Sequence, residues 1–332
     1  TAVDGQSSIV AAGPSPSGSK TSSQPTAPAP AATTPPPAGV AWTGVTATMW
    51  SEIEAQRAAL GDTNDCKARV DAVPSSGTVI GPGADVNAAL ANANVVILSG
   101  GTYTLSRSIN IPVGKKLVGA AGQTVVIDAS NVSRAFNVGN NATLANVVVA
   151  DAREEGVVAY NPGSGTSSGT LIYQVSVRRT GLKYTGGTGA SGIFLTQGAS
   201  YNCVVSSEVS DTWNELGAPN DHGGNADGVN NSNGAHHNTF IDVHSYRNGD
   251  DGIDMWDGGV AFFYFSRAFD NGKTSGKTLT GDGNGIKLGI GSVAHKFYRT
   301  TANTNKAQGY NLNGNTVQPV LVQSTASGNG SA

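Results

Sequence analysis

A recurring glycine constrains this chain more than any other feature. Four short segments superpose on it: Ala226-Asp227-Gly228-Val229-Asn230, Asp250-Asp251-Gly252-Ile253-Asp254, Gly283-Asn284-Gly285-Ile286-Lys287 and Ala307-Gln308-Gly309-Tyr310-Asn311. Their glycines are spaced by 24, 33 and 24 residues. The longer interval contains Lys273–Asp282, a polar stretch that reads as a loop inserted into one repeat. Asparagine keeps the same beat. Asn248 and Asn271 are 23 residues apart, and Asn305 follows after one repeat plus the insert. Fainter echoes stand at Glu155-Gly156 and Ser191-Gly192. Such a period, with an apolar residue after each glycine, fits stacked coils that bury their inner faces only against one another. The expected fold is therefore all-β, a right-handed parallel β-helix, with asparagines stacked along its axis. β-Sandwiches share Gly- and Asn-rich strands but keep no fixed period, and propeller blades need repeats of ~40 to 50 residues.

Composition agrees. Forty-five glycines, 13% charged and 6% aromatic residues in 332 suit many tight turns and short strands. A formal net charge of -3 without a basic stripe speaks against a nucleic-acid partner. The longest apolar runs, Val95–Leu98 and Val260–Phe265, are strand length and far short of the ~20 residues of a membrane helix.

Three regions follow along the chain. Residues 1–42 are almost entirely Ala, Pro, Ser, Thr and Gly, cannot bury enough apolar surface to offset their ordering entropy, and are expected to form a disordered tether. Residues 43–94 are expected to form a short helical cap. Thr46–Leu60 has helical spacing at Met49, Ile53 and Leu60, and Asp85–Asn92 opens on an N-capping aspartate. Residues 95–332 are the expected β-helix, starting with the strand Val95–Leu98 and continuing through short runs such as Ser108–Ile111, Thr124–Ile127, Ala145–Val149 and Gly169–Val177. The tether composition suits an exported protein, and a secreted monomer is expected. Ser324–Ala332 closes without a capping pattern, which leaves a longer native chain open. Cys66 and Cys203 either form one disulfide or are two small buried residues, and no zinc-type cysteine spacing exists.

Stacking converts period into proximity, because neighbouring strands lie ~4.8 Å apart. Asp227 and Asp251 precede the aligned glycine in consecutive repeats, so they should sit one coil apart. Asp254 and Lys287 both follow it by two and should also be neighbours, while Asp250 joins from the turn. Four carboxylates in one patch repel unless protonated or bound to a cation, and hard oxygen ligands in that number favour Ca²⁺. A lysine above such a cation, partly desolvated, has a lowered pKa and can serve as a general base.

The segments Asn225-Ala226-Asp227-Gly228, Asn248-Gly249-Asp250-Asp251-Gly252-Ile253-Asp254 and Gly283-Asn284-Gly285-Ile286-Lys287-Leu288-Gly289 resemble the motif series of polysaccharide lyase family 9, the β-helical pectate lyases and their relatives. The resemblance runs from about Asn225 to Asn313. Where the family usually has Asp-Gly-Trp-Asp, this chain has Asp251-Gly252-Ile253-Asp254. The resemblance implies a calcium-dependent lyase acting on an acidic polysaccharide, with pectate or polygalacturonate the first substrate to test. Asp227, Asp250, Asp251 and Asp254 would ligate the ion, and Lys287 would be the base. Arg247, Lys296 and Arg299 are candidate contacts for neighbouring uronates. Two alternatives stand beside it. Asn225–Gly228 followed by Asp250-Asp251 also comes close to the polygalacturonase pattern of inverting hydrolases, which place Gly-His-Gly where this chain has Gly283-Asn284-Gly285. A non-catalytic carbohydrate-binding β-helix would give Lys287 no role. His222, His236, His237 and His244 match no metal spacing and read as solvent-facing turn residues.

Overall fold

In the computed structural model the strands pair in parallel throughout and close into coils. Residues 44–160, 165–181, 189–214, 224–272, 281–291 and 293–330 are described. The 1–42 tether, His222 and residues 273–280 of the insert lie outside them.

Among the described residues the strands form one fifteen-stranded and one eight-stranded sheet. The larger sheet carries two faces of each coil. Its long strands Thr143–Ala150, Leu171–Arg178, Cys203–Ser210 and Asn238–Tyr246 stack in register. Each turns a corner at one left-handed residue: Asn146 (φ 57°), Gln174 (51°), Ser206 (45°) and Asp242 (52°). In later coils Phe265 and Arg299 hold the same corner, and the strand is split in two around it. A single residue at φ > 0 reverses the pleat within an otherwise extended run, so one strand serves two faces. The third face is the smaller sheet, whose last strands are Ala190–Leu195, Ala226–Asn231, Ile253–Asp254, Ile286–Lys287 and Tyr310–Asn311.

The aligned glycines form an inward column where the chain enters this smaller sheet. A Cβ on Gly252 would lie 2.7 Å from the Gly285 carbonyl oxygen and 3.0 Å from the Ala268 Cβ. No side chain fits there, and that steric limit is the origin of the repeat. The expected asparagine ladder stands one turn earlier. Asn271 Oδ1 accepts from the Asn248 amide nitrogens, Asn305 Oδ1 from those of Asn271, and Asn329 Oδ1 from those of Asn305, all at 2.9–3.2 Å. A second ladder, Asn202 onto Asn238, crosses another corner. Inside the coils Phe240, Phe263 and Phe297 stack with ring centroids 4.6 and 4.9 Å apart, an apolar spine parallel to the axis.

The described residues hold three helices, all in the first part of the chain: α1 Ala47–Leu60, α2 Cys66–Asp71 and α3 Val86–Asn92. Thr46, Asp65 and Asp85 cap them by accepting the N–H three residues on. Only α3 covers the end of the coil core, through Val86 and Leu90. By contrast α1 and α2 lie on the outer face of the larger sheet, where Trp50, Ile53 and Cys66 pack on Leu171, Ile241 and Tyr264. The strand Thr78–Ile80 already pairs in parallel with Val96–Leu98, so the β-helix begins inside the stretch expected to be a helical cap. Cys66 and Cys203 form a disulfide that ties α2 to the larger sheet and decides between the two readings of that pair.

Candidate functional site

The smaller sheet carries the acidic cluster on its outer face. Within each coil the residue before the column glycine and the residue two after it both point outward, separated by the inward glycine and the apolar residue that follows it. Ser191 pairs with Glu155 and with Asp227, so the faint upstream echoes belong to the same column. Asn230 pairs with Asp254, which places Asp227 beside Asp251, and Asp254 pairs with Lys287. Both neighbour relations expected from the glycine register are present.

Asp227, Asp251 and Asp254 each bring one carboxylate oxygen to within 4.8 Å of the others, and all three are buried. The backbone and nearby amides fix them. Asp227 Oδ1 accepts from the Asp251 N–H at 3.2 Å, and its Oδ2 from Asn230 Nδ2 at 3.2 Å. Asp251 Oδ1 accepts from the Asn284 N–H and Nδ2 at 2.8 and 2.9 Å. Asp250 sits in the turn, where its carboxylate accepts from the N–H groups of Asn225 and Gly283. Apart from Lys287, Asp251 Oδ2 and Asp254 Oδ1 are buried with no donor beside them.

Lys287 reaches into this gap. Its Nζ lies 3.1 Å from Asp251 Oδ2, 3.8 Å from Asp254 Oδ2 and 3.7 Å from Asp282 Oδ2, and only 7% of the residue is exposed. Asp282 is a neighbour that the glycine alignment passes over, since it ends the insert and has no counterpart in the flanking repeats. Its only signal is that it directly precedes an aligned segment.

Burial drives the electrostatics. Desolvation, then mutual repulsion, pushes the Asp227 carboxyl well above the ordinary carboxylate range. The same burial lifts Asp250, takes Asp251 to about 8 and Asp254 to about 6. For Lys287, burial disfavours the ammonium, but Asp251, Asp254, Asp227 and Asp250 together outweigh it and raise the pKa. That is opposite to the lowering expected beside a bound cation. Facing the carboxylates alone, the lysine is the counter-charge.

The three other candidate cations stand elsewhere. Arg247 makes a bidentate pair with Asp211 at 2.7 and 2.9 Å and lies over the Tyr246 ring. It extends the pattern of the Arg179–Asp151 pair. Lys296 belongs to the larger sheet, and Arg299 holds Glu52 of α1 at 2.8 Å. Among the described residues none of these three pairs with an aspartate of the cluster. His236 and His237 are half-buried, with their Nδ1 atoms 2.9 Å apart and Tyr201 stacked on His237, instead of facing solvent. His244 lies 3.1 Å from Asp242.

Comparison with known proteins agrees with this architecture. The family model of the Pel9A-like right-handed β-helix region matches residues 68–332. The chain belongs to that family. Among solved structures, this Pel9A-like β-helix superposes on pectate lyase Pel9A with a TM-score of 0.66 at 22% identity, covering 79% of this chain and 72% of that one. It superposes on a rhamnogalacturonan lyase with a TM-score of 0.50 at 18% identity, covering 64% and 61% respectively. A search of curated proteins gave no match. At these identities the superpositions establish the shared fold. Among the described residues no helix of the Pel9A-like chain is long and apolar enough to cross a membrane.

Proposed function

We propose that this protein is a secreted, calcium-dependent polysaccharide lyase that cleaves a uronate-containing polysaccharide by β-elimination, with polygalacturonate the first substrate to test. One observation carries the reading: a buried lysine contacts Asp251 and Asp254, two of three converging buried carboxylates, and Asp254 keeps an oxygen without a hydrogen-bond donor. The family and the fold shared with a pectate lyase and a rhamnogalacturonan lyase support it. The disulfide supports export, since such bonds persist mainly in oxidising compartments.

The donor set fits a hard divalent cation. Every available ligand atom is an oxygen, Asp254 Oδ1 is buried with no hydrogen-bond donor, and Asp251 Oδ2 has only the Lys287 ammonium beside it. Asp227, Asp251 and Asp254 would hold the ion, with Asp250 alongside. When bound, calcium supplies Lewis-acid stabilisation of the negative charge that develops on the uronate carboxylate.

The chain's own residues do the rest. The aspartate patch cannot attract a polyanion by itself, so substrate binding and cation loading are linked. With the aspartates' charge taken up by a bound cation, Lys287 Nζ would release its ammonium proton to solvent, and the neutral amine then accepts the C5 proton alpha to the uronate carboxylate. The electron pair of that C–H bond forms the C4=C5 double bond, and the C4–O4 bond breaks. The leaving O4 takes a proton from solvent. Asn284, bonded to Asp251 Oδ1 through both its nitrogens, keeps that carboxylate turned toward Nζ throughout.

The test is to incubate the protein with polygalacturonate, rhamnogalacturonan and alginate, with calcium or with chelator, and to follow the ultraviolet absorbance of the unsaturated product. Calcium-dependent absorbance on one of them is expected. New reducing ends without that absorbance would mean hydrolysis, and no product on any polymer would leave a binding module.

A further inference from the structure

The geometry points to Trp256 as the platform on which a sugar ring next to the cleaved uronate stacks. This rests on the lyase reading of the aspartate–lysine site and extends it to how the polymer is held. Among the described residues Trp256 is one of few large apolar side chains left in solvent, at 41% exposure. It lies two residues beyond Asp254, and the Lys287 Nζ is 5.6 Å from its ring centroid. Ile290, 53% exposed, follows Lys287 by three residues in the next coil.

The ring is held in place by its backbone. Met255 before it is fully buried and donates its N–H to the Lys287 carbonyl at 2.9 Å. Asp257 after it accepts the Asn233 N–H, and the Gly258 N–H returns to the Met255 carbonyl at 3.3 Å. The neighbouring coil passes close beneath. A Cβ on Gly289, which stands at φ 67°, would lie 2.7 Å from the Trp256 Cα. A large aromatic on so fixed a turn loses little conformational freedom when it meets a ligand.

The chemistry of the partner follows from the surroundings. The cation that the carboxylates would hold and the one ammonium recognise the charge of a uronate but offer nothing to the C–H face of a pyranose ring. An exposed indole supplies that flat apolar surface, and its electron-rich face suits the partly positive axial C–H bonds. The indole also lies within the ~6 Å at which an ammonium is attracted to an aromatic face. Trp256 could therefore act only on the lysine, and the experiment separates the two roles.

Trp256→Ala and Trp256→Phe are compared with the wild type on polygalacturonate, with calcium binding of each variant measured in parallel. The expected result for Trp256→Ala is a KM raised about tenfold with kcat within about threefold, the signature of lost substrate binding. Trp256→Phe should recover most of the loss, and calcium binding should be unchanged in both. A lowered kcat at unchanged KM, or a Phe variant as poor as the Ala variant, overturns the platform. Tetragalacturonate titrated by calorimetry keeps this result apart from the lyase reading. Binding by the wild type that weakens in Trp256→Ala, without any unsaturated product, overturns the lyase reading and retains the platform. Product formation with equal affinity in wild type and Trp256→Ala overturns the platform alone, and absence of both binding and product overturns both.

Discussion

Lys287 and the aspartates beneath it each set the other's protonation. Removing the lysine side chain deletes the proposed base while leaving the oxygens of Asp227, Asp251 and Asp254 in place. Lys287→Ala is therefore expected to lower kcat by about 10²- to 10⁴-fold, with calcium affinity retained or improved because a competing cation has gone. Turnover close to wild type in that variant would sink the assignment of the base. The carboxylates give a second expectation. Asp251 at about 8 and Asp254 at about 6 stand above their ordinary 3.8, so without calcium the folded protein binds more protons than the unfolded chain across that range. Its stability must then fall as pH rises from about 4 to about 8, since the folded state loses protons there that the unfolded state has already lost. The raised Lys287 pKa acts in the opposite region, contributing stability below its unfolded value near 10.5 that is lost only at higher pH. The proposed calcium would bind the ionised carboxylates, so its gain in Tm should be much larger at pH 8 than at pH 5. Thermal melts with calcium and with chelator at both values test this, and an equal gain at the two would refute it.

Among the elements, the ladders and the glycine column divide the work of specifying the coil. Asn271 sits at the middle of its ladder, accepting from Asn248 and donating to Asn305 Oδ1 and the Ser245 carbonyl. Asn271→Ala leaves several buried groups without partners, at about 1–3 kcal/mol each, so a loss of ~3 kcal/mol or more is expected in chemical denaturation. A loss below ~1 kcal/mol would show that the ladder contributes little. This part of the fold was legible from residues alone because coils there run 24 residues apart from one polar insert, and setting that insert aside carries register to the Asp254–Lys287 pair. Farther upstream legibility fails for a physical reason. Asn202 and Asn238 make an equivalent ladder 36 residues apart, across a coil with long insertions that hide the period. Asp282 escaped notice because an insert ends on it, and Lys296 and Arg299 could not be assigned a face because proximity in sequence to Lys287 spans a corner into the other sheet. The helices show the same division. Capping residues announced α1 and α3, whereas the side on which α1 and α2 dock depends on an outward apolar patch, Leu171, Ile241 and Tyr264, that looks in sequence like any inward strand residue.

Across the whole molecule, the Cys66–Cys203 bond joins segments 137 residues apart, and the chain it closes spans most of the upstream coils. Crosslinking a loop of that length removes unfolded-state entropy worth about 3–5 kcal/mol. Beneath the disulfide lies a buried polar contact that needs the helices in place. Asn64 Nδ2 donates to Thr239 Oγ1 at 2.7 Å and to the His237 carbonyl at 2.6 Å, and Asp62 accepts from the same Thr239 hydroxyl. If α1 and α2 lift away, those groups lose their partners together with the apolar contacts of Trp50 and Ile53. The aspartates and Lys287 lie on the smaller sheet, held by the coil register and not by these helices. Replacing both cysteines with alanine should therefore lower global stability by about 3–5 kcal/mol while leaving calcium affinity and kcat near wild type at temperatures where the fold persists. Hydrogen exchange should accelerate first in Ala47–Leu60 and Cys66–Asp71, ahead of strands Ala226–Asn231 and Cys203–Ser210. Exchange that quickened equally in the smaller sheet, or a parallel loss of kcat, would mean that the helical segment supports the site as well as the outer face it covers.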